Sequence, residues 1–137
     1  MGSYYISAEV STTIATPATY VVMASTTVAQ TLKDFTHSTP GRLTYTGTAT
    51  KNFNIAVSAS TSADTNNTVV TFSIAKNGTA DTSNIVDRKV AVANDHGALA
   101  IHVPVQLATN NYIEIYITAD KAADVDVDHG TLIISEA

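Results

Sequence analysis

The sequence predicts an all-β fold, a sandwich or barrel of nine or ten short strands, and three observations support this prediction. The 137 residues include 22 Thr, 14 Val and 11 Ile, β-branched side chains that suit pleated strands. Apolar and polar residues alternate with a period of two along most of the chain. Turn sequences recur at intervals of about 8–12 residues, the spacing of short antiparallel strands. No segment has the apolar periodicity of a helix.

The N-terminal half begins with an alternation in which Tyr4, Ile6, Ala8 and Val10 share one face. Pro17 interrupts the following segment, because proline has no amide hydrogen for a strand ladder. A Pro-Gly pair in residues 38–41 predicts a turn. The polar residues 61–67 predict a loop. The predicted strands of this half span residues 4–11, 19–23, 28–35, 42–46 and 53–60.

The C-terminal half contains the pair Asn77-Gly78, which is typical of a two-residue hairpin turn with positive φ at both positions. Residues 79–84 are predicted to form a loop. Pro104 lies within an otherwise regular alternation, so its strand is predicted at a sheet edge or a bulge. The predicted strands of this half span residues 70–74, 85–93, 99–107, 113–117 and 124–135.

Composition and charge exclude several function classes. The net charge of −5, with only seven Lys and Arg, provides no basic stripe for nucleic acid. No apolar run approaches the roughly 20 residues that a membrane helix needs. With no cysteine, disulfides and thiolate chemistry are excluded as well. The chain has no repeat or linker, and we expect a single domain over residues 1–137.

The sequence contains no catalytic constellation, and we expect neither an enzyme nor a bound cofactor. A nucleophile elbow and a glycine-rich phosphate loop are both missing. The four histidines lack the spacing of a metal clamp, so we expect them in turns or on the surface: His37, His96, His102 and His129. Asp124, Asp126 and Asp128 share one face of a strand and are weak candidates for a cation such as Ca²⁺. The alternative is a solvated face or a lane opposite basic residues of another subunit.

Tyr112, Glu114 and Tyr116 share one face of a predicted strand. An aromatic ring can stack on a sugar while nearby polar groups hydrogen-bond to it, so these residues are candidate carbohydrate ligands. Tyrosines at this spacing are also typical of an ordinary sheet surface or a protein interface.

Three segments resemble proteins of the tailed-bacteriophage virion: residues 42–55 (RLTYTGTATKNFNI), 72–79 (FSIAKNGT) and 105–115 (VQLATNNYIEI). The order of these features is also similar to that in the globular heads of the complement and tumour necrosis factor superfamily. The resemblance covers approximately residues 30–118. It implies a jelly roll of about eight to ten strands that assembles as a homotrimer without catalytic residues.

The resemblance leads to two expectations for function. The first is a capsid decoration, or cement, protein, made in the host cytoplasm and bound as a trimer to the major capsid protein on the outer surface of the virion. The second is the receptor- or carbohydrate-binding tip of a tail or head fibre. A cell-surface glycan would then contact Tyr112, Glu114 and Tyr116 or the loops 61–67 and 120–124.

Residues 1–11 have two interpretations. Tyr4, Tyr5 and Ile6 could form an arm that adds a strand to the sheet edge of a partner. Alternatively, the segment is the first strand of the domain itself.

Overall fold

Two antiparallel sheets face each other across a single apolar core in a computed structural model that describes residues 1–137. There is no helix. The strands are β1 (Gly2–Ala8), β2 (Val10–Ile14), β3 (Val21–Val22), β4 (Thr26–Leu32), β5 (Phe35–Thr36), β6 (Leu43–Tyr45), β7 (Lys51–Ala63), β8 (Thr68–Lys76), β9 (Thr79–Val90), β10 (Gly97–Leu107), β11 (Tyr112–Ala119) and β12 (Ala123–Glu136). The predicted all-β sandwich is confirmed. The number of strands is higher than expected because the predicted strand 4–11 is divided between β1 and β2 and the predicted strand 28–35 between β4 and β5.

The first sheet has the strand order β10-β7-β12-β1-β4, and β2 also pairs with β12. The second sheet has the order β5-β6-β11-β8-β9, and β3 also pairs with β11. Strands distant in sequence are therefore neighbours, as in the jelly roll that the resemblance implies. β10 is an edge strand, which confirms the position expected for Pro104.

The core contains 28 buried residues contributed by both sheets. The alternation in the sequence places one face of each long strand in this core, as in β7, where Phe53, Ile55 and Val57 are buried. Phe53 of the first sheet meets Phe35 and Tyr45 of the second, with ring centroids 5.5 and 5.1 Å apart in edge-to-face geometry. This arrangement is favourable for aromatic rings and joins the two sheets at one end.

β1 lies inside the first sheet, hydrogen-bonded to β12 on one side and β4 on the other. Tyr4 is fully buried and Ile6 nearly so, while Tyr5 points outward. The anchoring-arm interpretation therefore does not hold for Tyr4 and Ile6, because their side chains already fill the core. The predicted alternation also ends early. Strand β1 ends at Ala8, Glu9 lies between β1 and β2, and Ala8 is exposed instead of facing the core.

The predicted loop 61–67 is strand over residues 61–63, and the predicted loop 79–84 is strand throughout. β7 continues to Ala63 because the buried Thr61 hydroxyl donates to the backbone oxygen of Asp126, 2.9 Å away. β9 begins at Thr79, directly after the hairpin turn. An irregularity in its register leaves residues 81–84 outside the ladder, and the Asp81 carboxylate accepts hydrogen bonds from the Ser83 amide and the Asn84 side chain. In both segments, the polar side chains that form these hydrogen bonds gave the sequence the composition of a loop.

The hairpin turn between β8 and β9 is confirmed. Asn77 has φ +52° and Gly78 has φ +80°, the left-handed conformation at both central positions. The Asn77 side chain accepts a hydrogen bond from the Tyr112 amide at 3.0 Å, which joins the turn to the start of β11.

Candidate interaction surfaces

The central part of the outer face of the first sheet is built mainly from small side chains, and we call it the small-residue face. Strand register places its residues in rows across five strands. Five strands at about 4.8 Å spacing make this face roughly 20 Å wide. Two central rows are His102, Ala56, Ile133, Ser3 and Thr31, and Ala100, Ser58, Thr131, Tyr5 and Val28.

The small-residue face has no Lys, Arg, Asp or Glu in these rows. Two of its larger apolar side chains are well exposed, Tyr5 at 39% and Val28 at 43%. A shallow depression of about 200 Å³ lies beside them, with Ser58, Ala98 and His129 in its lining. An exposed group of uncharged and partly apolar side chains is typical of a surface that contacts another protein.

The outer face of the second sheet brings Tyr112, Glu114 and Tyr116 together, as the alternation predicted, and adds Arg42. The Arg42 guanidinium carbon lies 4.0 Å from the centre of the Tyr112 ring, and its Nε lies 3.5 Å from Glu114 Oε2. Glu114 is only 6% exposed. Burial, together with the negative charge of Glu114, raises the pKa of Tyr116.

This geometry changes the interpretation of the predicted carbohydrate platform. Arg42 covers one face of the Tyr112 ring, and Glu114 is already paired with Arg42. Both groups therefore have partners within the chain, and the cluster as it stands stabilises the sheet surface. Sequence reasoning did not find Arg42, which is 70 residues or more from its partners and adjoins them only through the pairing of β6 with β11.

The loops 61–67 and 120–124 meet at one end of the sandwich. The Asp64 side chain accepts a hydrogen bond from the Asp124 amide at 3.0 Å, and the Asp64 amide donates to the Asp124 backbone oxygen at 3.1 Å. Lys121 Nζ donates to the Asn66 backbone oxygen at 3.3 Å. These bonds join the two loops into one surface. Many polar groups of the loops already have partners within the chain.

Asp124, Asp126 and Asp128 do not converge on a common point. Asp124 accepts a hydrogen bond from the Thr13 hydroxyl at 2.8 Å, and Asp128 lies 3.3 Å from His96. Asp126 lies beside Glu9, and the hydrogen bond that a protonated Glu9 can form with it, together with the negative charge of Asp126, raises the pKa of Glu9. A β-bulge between Val127 and His129 turns the strand between these contacts. No group of three or more acidic, histidine or cysteine side chains is positioned to hold a metal ion.

Three of the four histidines are exposed, as expected: His96, His102 and His129. His37 is half-buried directly after β5, where it bonds to the Thr27 hydroxyl at 2.8 Å and its ring centroid lies 5.6 Å from that of Tyr4. None of them lies beside a serine or threonine and a carboxylate in the arrangement of a hydrolase.

No helix of the chain is long and apolar enough to span a lipid bilayer. Neither a protein-family model nor a curated protein sequence matches the chain.

Solved structures with a similar fold include tumour necrosis factor type domains. One is the Eiger TNF of S. frugiperda, with a TM-score of 0.69 and 6% identity, over 100% of this chain and 92% of that one. Murine APRIL at pH 5.0 has a TM-score of 0.53 and 11% identity, over 96% of this chain and 98% of that one. At these identities the likeness establishes a tumour necrosis factor type jelly-roll fold.

Proposed function

We propose that this chain is a non-enzymatic structural protein of a bacteriophage virion, a decoration protein that binds the outer capsid as a homotrimer. The observation that carries the proposal is the small-residue face, which is suited to a second copy of the chain. The resemblance of residues 42–55, 72–79 and 105–115 to phage virion proteins supplies the biological setting.

The absence of charged side chains from the central rows of the small-residue face favours self-association. Burying a charged side chain carries a large desolvation cost, and the central rows present none. Serine and alanine allow two backbones to approach closely, and Tyr5 and Val28 supply apolar area. The three-fold arrangement is implied by the resemblance to phage jelly rolls and to the globular heads of the tumour necrosis factor superfamily.

The oligomeric state is tested by sedimentation of the parent and of Ala100→Arg at micromolar concentration. Ala100 is exposed on the edge strand β10, at one end of a central row of the small-residue face, so the variant can fold while it places a charge in the proposed interface. We expect a trimer for the parent and a monomer for the variant. Thr82→Arg, which adds the same charge at an exposed site on β9, is the matched control and should remain trimeric. A monomeric or dimeric parent would refute the proposed assembly.

The location is tested by labelling purified phage particles, produced from the genome that encodes this chain, with an antibody against it. We expect gold label distributed over the capsid shell. Label restricted to fibre ends would favour the second function, a receptor- or carbohydrate-binding tip. Particles without the chain would contradict both.

The second candidate function is supported by the tyrosines on the outer face of the second sheet, which faces away from the small-residue face. In a trimer built on the small-residue face, this surface remains exposed to solvent. Because Arg42 covers Tyr112, glycan binding at the predicted cluster would require the guanidinium to move. A glycan array that compares Arg42→Ala with the parent tests whether the Arg42 side chain must move before a glycan can bind.

A further inference from the structure

A small cup lies on the outer face of the second sheet, at the end opposite the Arg42 cluster. Its volume is about 210 Å³, and Tyr20, Thr71, Thr118 and Asp120 are among its lining residues. Three segments build it: the approach to β3, the start of β8 and the end of β11. We call it the Tyr20 cup.

Strand register holds the lining residues in place. Thr118 of β11 pairs directly with Thr71 of β8. On the other side, β3 pairs Val21 with Ile117, and the same register places Tyr20 next to Thr118. The Ala18 amide donates to the Ala119 backbone oxygen at 2.9 Å, which fixes the segment before β3.

Thr118 has an unused hydroxyl. Its side chain is only 6% exposed, and Oγ1 has no hydrogen-bond partner in the chain. A buried hydroxyl without a partner is destabilising, so such groups usually form a hydrogen bond with a protein group, a water molecule or a ligand. Ile117 and Ala119 face the core, and Thr118 therefore points out of the sheet into the cup.

The remaining polar groups of the cup keep free acceptor positions. Thr71 Oγ1 donates to Asp87 at 2.6 Å and can still accept a hydrogen bond. Asp120 Oδ1 accepts from the Val69 amide at 2.9 Å, while its second oxygen makes no bond within the chain. The cup thus offers several hydrogen-bond acceptors and the unpaired hydroxyl of Thr118. These groups suit a small ligand that carries several hydroxyl groups.

Size and charge narrow the ligand class further. A cavity of about 150 Å³ accepts benzene, so this cup can accept a somewhat larger six-membered ring but not a drug-sized molecule. No Lys or Arg lines it, and Lys121, the basic residue next to Asp120, bonds to the Asn66 backbone. An acidic lining without a cation disfavours anionic ligands.

We propose that the Tyr20 cup binds one neutral pyranose ring, such as a terminal hexose of a glycan. The half-exposed Tyr20 ring packs against the carbon face of the sugar, and Thr118 and Asp120 bond to its hydroxyl groups. The inference does not rest on the virion assignment, because it uses only residues of the second sheet. A trimer built on the small-residue face leaves the cup open.

The test is a titration of the full chain with neutral monosaccharides (glucose, galactose, mannose and N-acetylglucosamine), followed by amide chemical shifts in NMR. We expect at least one sugar to bind and to shift the amides of Thr118, Thr71 and Tyr20. Thr118→Val is nearly isosteric and removes only the hydroxyl, so we expect a fold-preserving loss of affinity of about 10-fold. Tyr20→Ala should abolish binding.

Thr82→Val, at an exposed threonine on β9, is the matched control and should bind like the parent. Sialic acid is the anionic comparison and should not bind. The inference is overturned if no neutral sugar binds up to its solubility limit, if the shifts map elsewhere, or if Thr118→Val and Tyr20→Ala bind like the parent. Sedimentation of the same samples reports separately on the proposed trimer.

Discussion

At the scale of single residues, Gly78 has a conformation that most side chains avoid. Its φ of +80° follows φ +52° at Asn77, and both lie in the left-handed region. A Cβ at Gly78 would meet the Tyr112 hydroxyl at 3.4 Å, an ordinary contact, so the cost of substitution lies in the backbone. We expect Gly78→Val to lower the free energy of unfolding by about 1–3 kcal/mol, measured by urea denaturation.

The control for this turn is Gly78→Asn. Asparagine adopts left-handed φ more readily than β-branched residues, so it should lose less stability than valine at the same position. If valine and asparagine were equally tolerated, the assignment of this turn would be contradicted.

Glu9 is a second residue with a measurable consequence. Its hydrogen bond to the Asp126 carboxyl, and the charge of that carboxyl, raise its pKa. A raised pKa means that the folded state holds the Glu9 proton more tightly than the unfolded state. The contribution of this pair to stability is therefore present below the ordinary pKa of glutamate and is lost as the pH rises through the raised value.

We expect Glu9→Gln to raise the melting temperature at pH 7, where it removes the repulsion between two ionised carboxyl groups, and to give no gain at pH 3. Glu136→Gln is the control. Its carboxylate pairs with Lys51 at 3.0 Å, so its removal should give no gain at either pH. An equal gain for Glu9→Gln at pH 3 and pH 7 would rule out the electrostatic explanation.

At the scale of elements, β1 distinguishes a core role from a surface role within one strand. Tyr4 is fully buried and its hydroxyl donates to the Gly41 backbone oxygen at 3.2 Å, whereas the neighbouring Tyr5 is 39% exposed. Tyr4→Ala should cost about 3–5 kcal/mol, the usual range for removing a large core side chain. Tyr5→Ala should change the stability of the monomer by about 0.5 kcal/mol or less.

The same pair of variants is informative about assembly. Because Tyr5 lies in the small-residue face, Tyr5→Ala should weaken self-association in sedimentation while the fold stays intact. A Tyr4→Ala chain as stable as the parent would show that β1 is not an integral strand. If Tyr5→Ala associated as tightly as the parent in sedimentation, Tyr5 would not be part of the interface.

At the scale of the whole molecule, the proposed trimer couples stability to concentration. Binding between folded copies stabilises the folded state by mass action, so the melting temperature should rise with protein concentration. We expect this dependence in calorimetry of the parent and its absence in Ala100→Arg. A parent melting temperature that does not change over a hundredfold range of concentration would argue against assembly coupled to folding.

The features that the sequence alone determined are those that depend on near neighbours along the chain. The period-two alternation predicts strands because successive side chains point to opposite faces, and Asn77-Gly78 predicts its turn because few other pairs accept positive φ twice. The edge position of Pro104 follows from its missing amide hydrogen. These local rules also produced two errors, at residues 61–63 and 79–84, where polar side chains that form hydrogen bonds within the folded chain have the composition of a loop.

Only the tertiary structure decided which of these strands become neighbours. Arg42 meets Glu114, the rows of the small-residue face form, and Tyr20 comes beside Thr118 through pairings between strands far apart in sequence. Alternation specifies which face of a strand is apolar, but it does not specify a partner strand or a register. The interaction surfaces of this protein arise from that long-range register. For the same reason, the aspartates that share a strand face separate in space, and residues 1–11, for which the sequence allowed an arm or a first strand, contribute strand β1 to a sheet.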